Sequence, residues 1–200
     1  MRTEILPASS DDTLLRALAV LHAGGLVAFP TDTVYGVGAL AFDGQAIELI
    51  YAAKDRPVDK AIPILISDVN ELDKVGIDIP EVARKLASRF WPGPLTVLVP
   101  KRRDLPESVS ATSTVGVRVP DHEVARALLH AAGPMAVTSA NISGQQSPVS
   151  APEVHEQLGG RIPLIIDGGK TPGGIPSTLV DCTSAELKVL REGPVSLEEL

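Results

Sequence analysis

The chain has 200 residues and a hydrophobic fraction of 44%, which suits one folded domain (1–200) and excludes a disordered one. Its formal net charge of -7 argues against a surface that wraps nucleic acid, because phosphate neutralisation needs a face of lysine and arginine. The single cysteine, Cys182, excludes an intrachain disulfide and reads as a small buried thiol.

The opening MRTEILPASSDDTLL carries acids and a proline where a signal peptide needs an apolar run. No stretch approaches the roughly 18 apolar residues that span a bilayer. The expectation is a soluble, cytoplasmic protein with no membrane contact. Ser10, Asp11 and Asp12 predict a helix start over LLRALAVLHA, which stops at Gly24-Gly25. LVAF (26–29) reads as a buried strand that Pro30 ends. Asp43 caps a helix over QAIELIYAAK, with Ile47, Ile50 and Tyr51 on one face. IPILI (62–66) reads as a strand with a short helix after Ser67. Pro80 opens the helix EVARKLASRF, WPGP (91–94) ends it, and LTVLV (95–99) is a strand. VGVRV (115–119) is a strand, Asp121 caps the helix HEVARALLHAA, and MAVT (135–138) is a strand. Ser150 and Glu153 have capping-box spacing for a short helix around 152–158. PLIID, STLVD and LKVLR read as three closing strands, which gives a mixed α/β pattern without repeat or linker.

Two glycine motifs are decoys. Gly36-Val37-Gly38-Ala39-Leu40-Ala41 matches a dinucleotide fingerprint in letters, but a polar segment rather than a strand precedes it. Gly168-Gly169-Lys170-Thr171 resembles the end of a P-loop, yet the required first glycine falls at Leu164, inside a strand. His22, His122, His130 and His155 have no paired metal spacing, so no protein metal site is expected.

Three polar segments carry chemistry at strand or helix ends. Pro30-Thr31-Asp32-Thr33-Val34-Tyr35-Gly36 offers four hydrogen-bonding side chains on a stretch pinned by Pro and Gly; an ordinary turn explains it equally well. In Lys54-Asp55-Arg56-Pro57-Val58-Asp59-Lys60, a cationic helix end accounts for Lys54. Arg56 stands before a proline, which favours an extended backbone that projects its guanidinium from the helix end. Thr138-Ser139-Ala140-Asn141-Ile142-Ser143-Gly144 places small donors and acceptors after a strand. Arg118, set in VGVRVP among valines, must reach solvent, a carboxylate or an anionic ligand. With Lys54, Arg56, Lys60 and Arg191 it predicts a cavity for an anion such as a nucleoside triphosphate.

In chain order, FPTDTVYGVG (29–38), KDRPVDKAIPILI (54–66), FWPGPLTVLVP (90–100), STVGVRVPDH (113–122), TSANISGQQSP (138–148), STLVD (177–181) and LREG (190–193) together resemble the YrdC-like family of threonylcarbamoyl-AMP synthases. The resemblance spans nearly the whole chain and includes a Lys-x-Arg plus Ser-x-Asn tetrad at Lys54, Arg56, Ser139 and Asn141. It implies an α/β fold, a twisted mixed parallel and antiparallel sheet with flanking helices around a positively charged cavity. It implies catalytic roles for Lys54 and Arg56, and L-threonine contacts from Thr33, Arg118, Ser139 and Ser177. It implies ATP contacts from Arg56, Lys60, Thr114, Asn141, Ser147 and Arg191, with Mg²⁺ entering with ATP. Bicarbonate would be the third substrate. The product would pass to a tRNA threonylcarbamoyl transferase complex, and a weak direct tRNA contact is a further expectation. A carbamoyl-adenylating relative and a non-catalytic RNA-binding factor are the alternative readings.

Overall fold

The computed structural model describes residues 2–172, 174–184 and 186–199. In chain order it holds β1 (Glu4–Pro7), α1 (Asp11–His22), β2 (Val27–Phe29), β3 (Gly36–Leu40), α2 (Gly44–Lys54), β4 (Ile64–Leu65), α3 (Glu81–Phe90), β5 (Leu95–Pro100), β6 (Thr114–Arg118), α4 (Glu123–Ala132), β7 (Met135–Ser139), α5 (Ala151–Leu158), β8 (Leu164–Asp167), β9 (Thr178–Asp181) and β10 (Lys188–Arg191). The ten strands form one sheet in the order β1-β8-β2-β3-β7-β4-β6-β5-β9-β10, mixing parallel and antiparallel pairs. No helix among the described residues is long and apolar enough to cross a membrane.

Strand alternation sorts the side chains into two layers. On one face Ala28, Val37, Ala39, Ile64, Val97, Val115, Val117 and Ile165 join the main core with residues of α2, α3 and α5. On the other face Val27, Phe29, Val137, Leu164 and Ile166 pack with α1 and α4. The second layer is shorter than the sheet. α1 and α4 cover the half around β8, β2 and β7, and leave the face of β6, β5, β9 and β10 without a helix.

Several local expectations hold. Asp43 caps α2 by accepting from the Ala46 amide at 3.0 Å, and Ile47, Ile50 and Tyr51 are buried. Gly24 takes φ 74° just past α1, a conformation that glycine adopts without steric cost. Others are corrected. The residue at the cap position of α4 is His122, not Asp121, and no side chain caps that end. Only Ile64 and Leu65 of the expected strand 62–66 are laddered, and the turn after Ser67 is a 3₁₀ helix over Val69–Lys74. The Ser150–Glu153 pairing is half a capping box: Glu153 accepts from the Ser150 hydroxyl and the Val149 amide, but the Ser150 side chain accepts from no amide of the first turn.

The two strands that composition hid are β1 and β3. β3 is the fingerprint decoy itself. A Cβ on Gly36 or Gly38 would stand 2.7 Å from a Val137 methyl, so both glycines make room for that side chain of β7. The three closing strands also separate in space. β8 inserts between β1 and β2, while β9 and β10 form the opposite edge.

Candidate functional site

Where α1 and α4 stop, the uncovered sheet face becomes the floor of a cavity of about 520 Å³. Thr114, Gly116 and Arg118 of β6 face it while Val115 and Val117 enter the core behind. In β5, Thr96 and Leu98 face it while Leu95, Val97 and Val99 lie behind. This alternation explains an arginine among valines: the two kinds of residue occupy opposite faces of one strand. Gly116 keeps the floor low, since a Cβ there would come within 3.1 Å of Thr96.

Arg118 is 6% exposed, and three of its N–H groups are engaged. Nε donates to the Gly93 carbonyl (2.9 Å), one terminal nitrogen donates to Thr33 Oγ1 (3.2 Å), and the other pairs with Asp32. Burial pushes its pKa down, and the Asp32 carboxylate opposes that shift. The guanidinium has five donors, so two have no partner among the described residues. The loop 30–35 that supplies Asp32 and Thr33 is tied from within: Thr31 Oγ1 donates to the Val34 carbonyl (2.7 Å) and receives the Thr33 amide (3.2 Å). The Tyr35 hydroxyl donates to the Gly169 carbonyl (2.7 Å) and so anchors the loop to the turn after β8.

On one side of the cavity Arg56 folds back over its own loop and donates to the Lys60 and Ala61 carbonyls (3.3 and 2.9 Å). Near it a file of hydroxyls, Ser110, Thr112 and Thr114, is linked at 2.9 and 3.0 Å. On the other side Arg191 donates to the Ser177 carbonyl (3.0 Å) and hydroxyl (3.2 Å), and Ser177 also bonds Thr96 Oγ1 (2.7 Å). Desolvation and then the charge of Arg118 lower the Arg191 pKa, consistent with the two guanidinium groups facing one hollow. Gly193 permits this edge, because a Cβ there would stand 2.3 Å from the Thr178 nitrogen and 2.5 Å from the Pro176 oxygen.

Of the residues singled out in the sequence, Thr33, Arg56, Thr114, Arg118, Ser139, Ser177 and Arg191 line this cavity. Lys54, Lys60, Asn141 and Ser147 do not. Lys60 is exposed on the loop outside. Asn141 is 6% exposed and turned into its own loop, donating to the Ile142 and Gln145 carbonyls (2.8 and 3.0 Å). Ser147 donates to the Asn141 side chain at 3.5 Å. Lys54 is fully buried, and its ammonium donates to the backbone carbonyls of Ser139 and Asn141. Five converging cations were expected, and three arginines line the wall. Thr31 and Thr138 of the polar segments line it too, while Thr96, Ser110 and Thr112 line it unannounced; for Thr96 the signal was there, in the alternation of LTVLV.

Comparison with known proteins places the whole arrangement. The Sua5/YciO/YrdC family model, described as "Telomere recombination", matches residues 19–193. The chain is 46% identical over 186 residues to a threonylcarbamoyl-AMP synthase of Pyrococcus abyssi, covering 92% of this chain and 55% of that protein. It is 40% identical over 195 residues to the threonylcarbamoyl-AMP synthase of Bacillus subtilis, covering 96% and 56%. The chain thus spans about half the length of these two curated relatives. The crystal structure of P. abyssi Sua5 complexed with L-threonine superposes with a TM-score of 0.95 at 43% identity, over 98% of this chain and 59% of that one.

Proposed function

Because the chain belongs to the Sua5/YciO/YrdC family, we propose that it is a nucleotidyltransferase that joins L-threonine, bicarbonate and ATP into threonylcarbamoyl-AMP and pyrophosphate. The observation that carries this reading is the meeting of Arg56, Arg118 and Arg191 in one cavity whose lining, among the described residues, holds no carboxylate. Every reacting species is anionic, so bringing negative groups together is the main task of the site.

In this reading the threonine amine and bicarbonate first give a carbamate and water. A carbamate oxygen then bonds to the α-phosphorus of ATP, and the bridging bond to the β-phosphate breaks to release pyrophosphate. The two uncommitted N–H groups of Arg118 receive the threonine carboxylate, with Thr33, Ser139 and Ser177 beside it. Arg56, Thr114 and Arg191 receive the nucleotide. Lys60, Asn141 and Ser147, which stand outside the wall, would reach ATP only through a movement of their loops. The half-enclosed cavity keeps water from the carbamate.

The donor set here does not form a protein cage for Mg²⁺. Among the described residues no group of three or more His, Cys, Asp or Glu side chains comes together, and Asp32 at the cavity margin is committed to Arg118. The ion would enter with the phosphates of ATP, where it would offset their charge. Downstream, the adenylate would pass to a tRNA threonylcarbamoyl transferase complex, and any tRNA contact would be weak at a net charge of -7.

Incubation of the protein with threonine, bicarbonate and ATP, followed by mass spectrometry, should reveal threonylcarbamoyl-AMP together with threonine-dependent pyrophosphate. ATP turnover indifferent to threonine would point to a carbamoyl-adenylating enzyme, and tight RNA binding without ATP chemistry to a binding factor. Arg56→Ala should lower turnover tenfold to a hundredfold, the equivalent of about 1.5–3 kcal/mol for a charge-assisted phosphate contact.

A further inference from the structure

Lys54 belongs to the tetrad that the sequence marks, yet it stands behind the cavity wall. It ends α2 and is fully buried. Its ammonium holds the carbonyls of Ser139 and Asn141, and its own carbonyl accepts from the Ser143 amide at 2.7 Å. One side chain and one peptide group therefore clamp the loop that presents Ser139 to the cavity. No carboxylate pairs with Lys54 among the described residues.

The neighbouring charges leave the ammonium uncompensated. Arg56 repels it. Asp55 is turned onto Arg161 at 2.7 Å, and Arg161 also donates to the Ala53 carbonyl at 3.2 Å. The Ser139–Ser143 loop has no ionisable side chain, and α5 meets that loop through Gln157, which accepts from the Ile142 amide. A buried cation without a counter-ion is costly unless an anion arrives nearby.

We infer that Lys54 is a positioning residue that acts through the wall: it shapes the Ser139 loop and binds a proton as a polyanionic ligand enters the cavity, without touching that ligand. This rests on the nucleotide reading of the site. Burial and then the charge of Arg56 depress its pKa to about 7, so near neutrality much of the population has the neutral amine to spare. A triphosphate in the cavity restores the charge.

Calorimetric titration of the whole protein with ATP at pH 8, in buffers of different ionisation enthalpy, measures this directly. The terminal phosphate of ATP is already ionised there. Wild type should take up most of a proton per ATP bound, and its affinity should fall up to about tenfold per pH unit between pH 7 and 9. Lys54→Met should lose both the uptake and the slope, while Lys54→Arg, charged throughout, should lose the slope and keep more of the affinity. Uptake near zero in wild type with a flat affinity overturns the inference without any variant, and so does a Lys54→Met protein that keeps the slope. If folded wild type binds no ATP at all, the functional reading falls and the inference with it.

Discussion

Arg118 shows how one residue serves fold and ligand together. Its pair with Asp32 is shielded, at 7% and 13% side-chain exposure, so removing one partner strands a charge. Arg118→Ala should cost about 3–5 kcal/mol of stability, read as a lower urea midpoint. The double variant Arg118→Ala with Asp32→Asn should recover part of that loss without recovering threonine binding, because the carboxylate no longer needs a partner but the fork is gone. Equal instability of the single and double variants would show that the stranded charge is not the cause. Seven of the residues at this site were legible in the sequence, Thr33, Arg56, Thr114, Arg118, Ser139, Ser177 and Arg191, but the direction of each side chain was not. Lys54 reads as a helix-end cation or a phosphate ligand because the carbonyls it holds lie 85 and 87 residues away. Arg118 was read more fully, since its valine neighbours already demanded solvent, a carboxylate or an anionic ligand, and the carboxylate is Asp32.

At the scale of elements, periodicity revealed the strands that bury a continuous or alternating apolar set and hid the two that borrow their partners. β1 is only EILP, half exposed, and is held by β8 from across the chain. β3 carries two glycines that read locally as a turn, and its purpose appears only when Val137 lies over them. A cavity was expected from the scattered cations, but its place on the sheet was not readable, because it follows from where α1 and α4 end along the sheet. β10 makes the same point at the other edge. Its run LKVLR was visible, but the need for Gly193 comes from the backbone of 176–178 passing underneath. Gly193→Ala should displace Arg191 from Ser177, cost roughly 1–3 kcal/mol as an overpacked site, and raise the KM for ATP more than it changes the KM for threonine. An unaltered KM for ATP in a folded Gly193→Ala protein would detach β10 from the nucleotide side of the cavity.

For the whole molecule, the buried titrating groups set a stability profile with opposing limbs. Lys54 has a folded pKa of about 7 against 10.5 in the ordinary state, so between these values the unfolded chain holds the extra proton. Stability therefore rises with pH across that window, by up to about 1.4 kcal/mol per unit. His122, lowered by burial, adds to the rise below its ordinary 6.5. The opposite limb comes from Cys182 and Tyr35, both raised by burial to about 12 from 9.0 and 10.0. Above those ordinary values the unfolded chain releases protons that the fold retains, and stability falls. The sum is a rise from pH 7, a plateau near about pH 9–10 where the Lys54 and Cys182 slopes cancel, and a decline beyond. The growing negative charge of a chain already at -7 opposes the rise, but about 0.15 M salt screens surface charges beyond ~8 Å and leaves the buried groups less affected. Urea midpoints measured from pH 6 to 11 in such salt should trace this shape. Lys54→Met should remove the ascent above pH 7 and move the optimum towards neutrality; a wild-type midpoint that falls steadily from pH 7 upward would mean that Lys54 keeps its proton in the ligand-free fold, and would take the proton uptake with it.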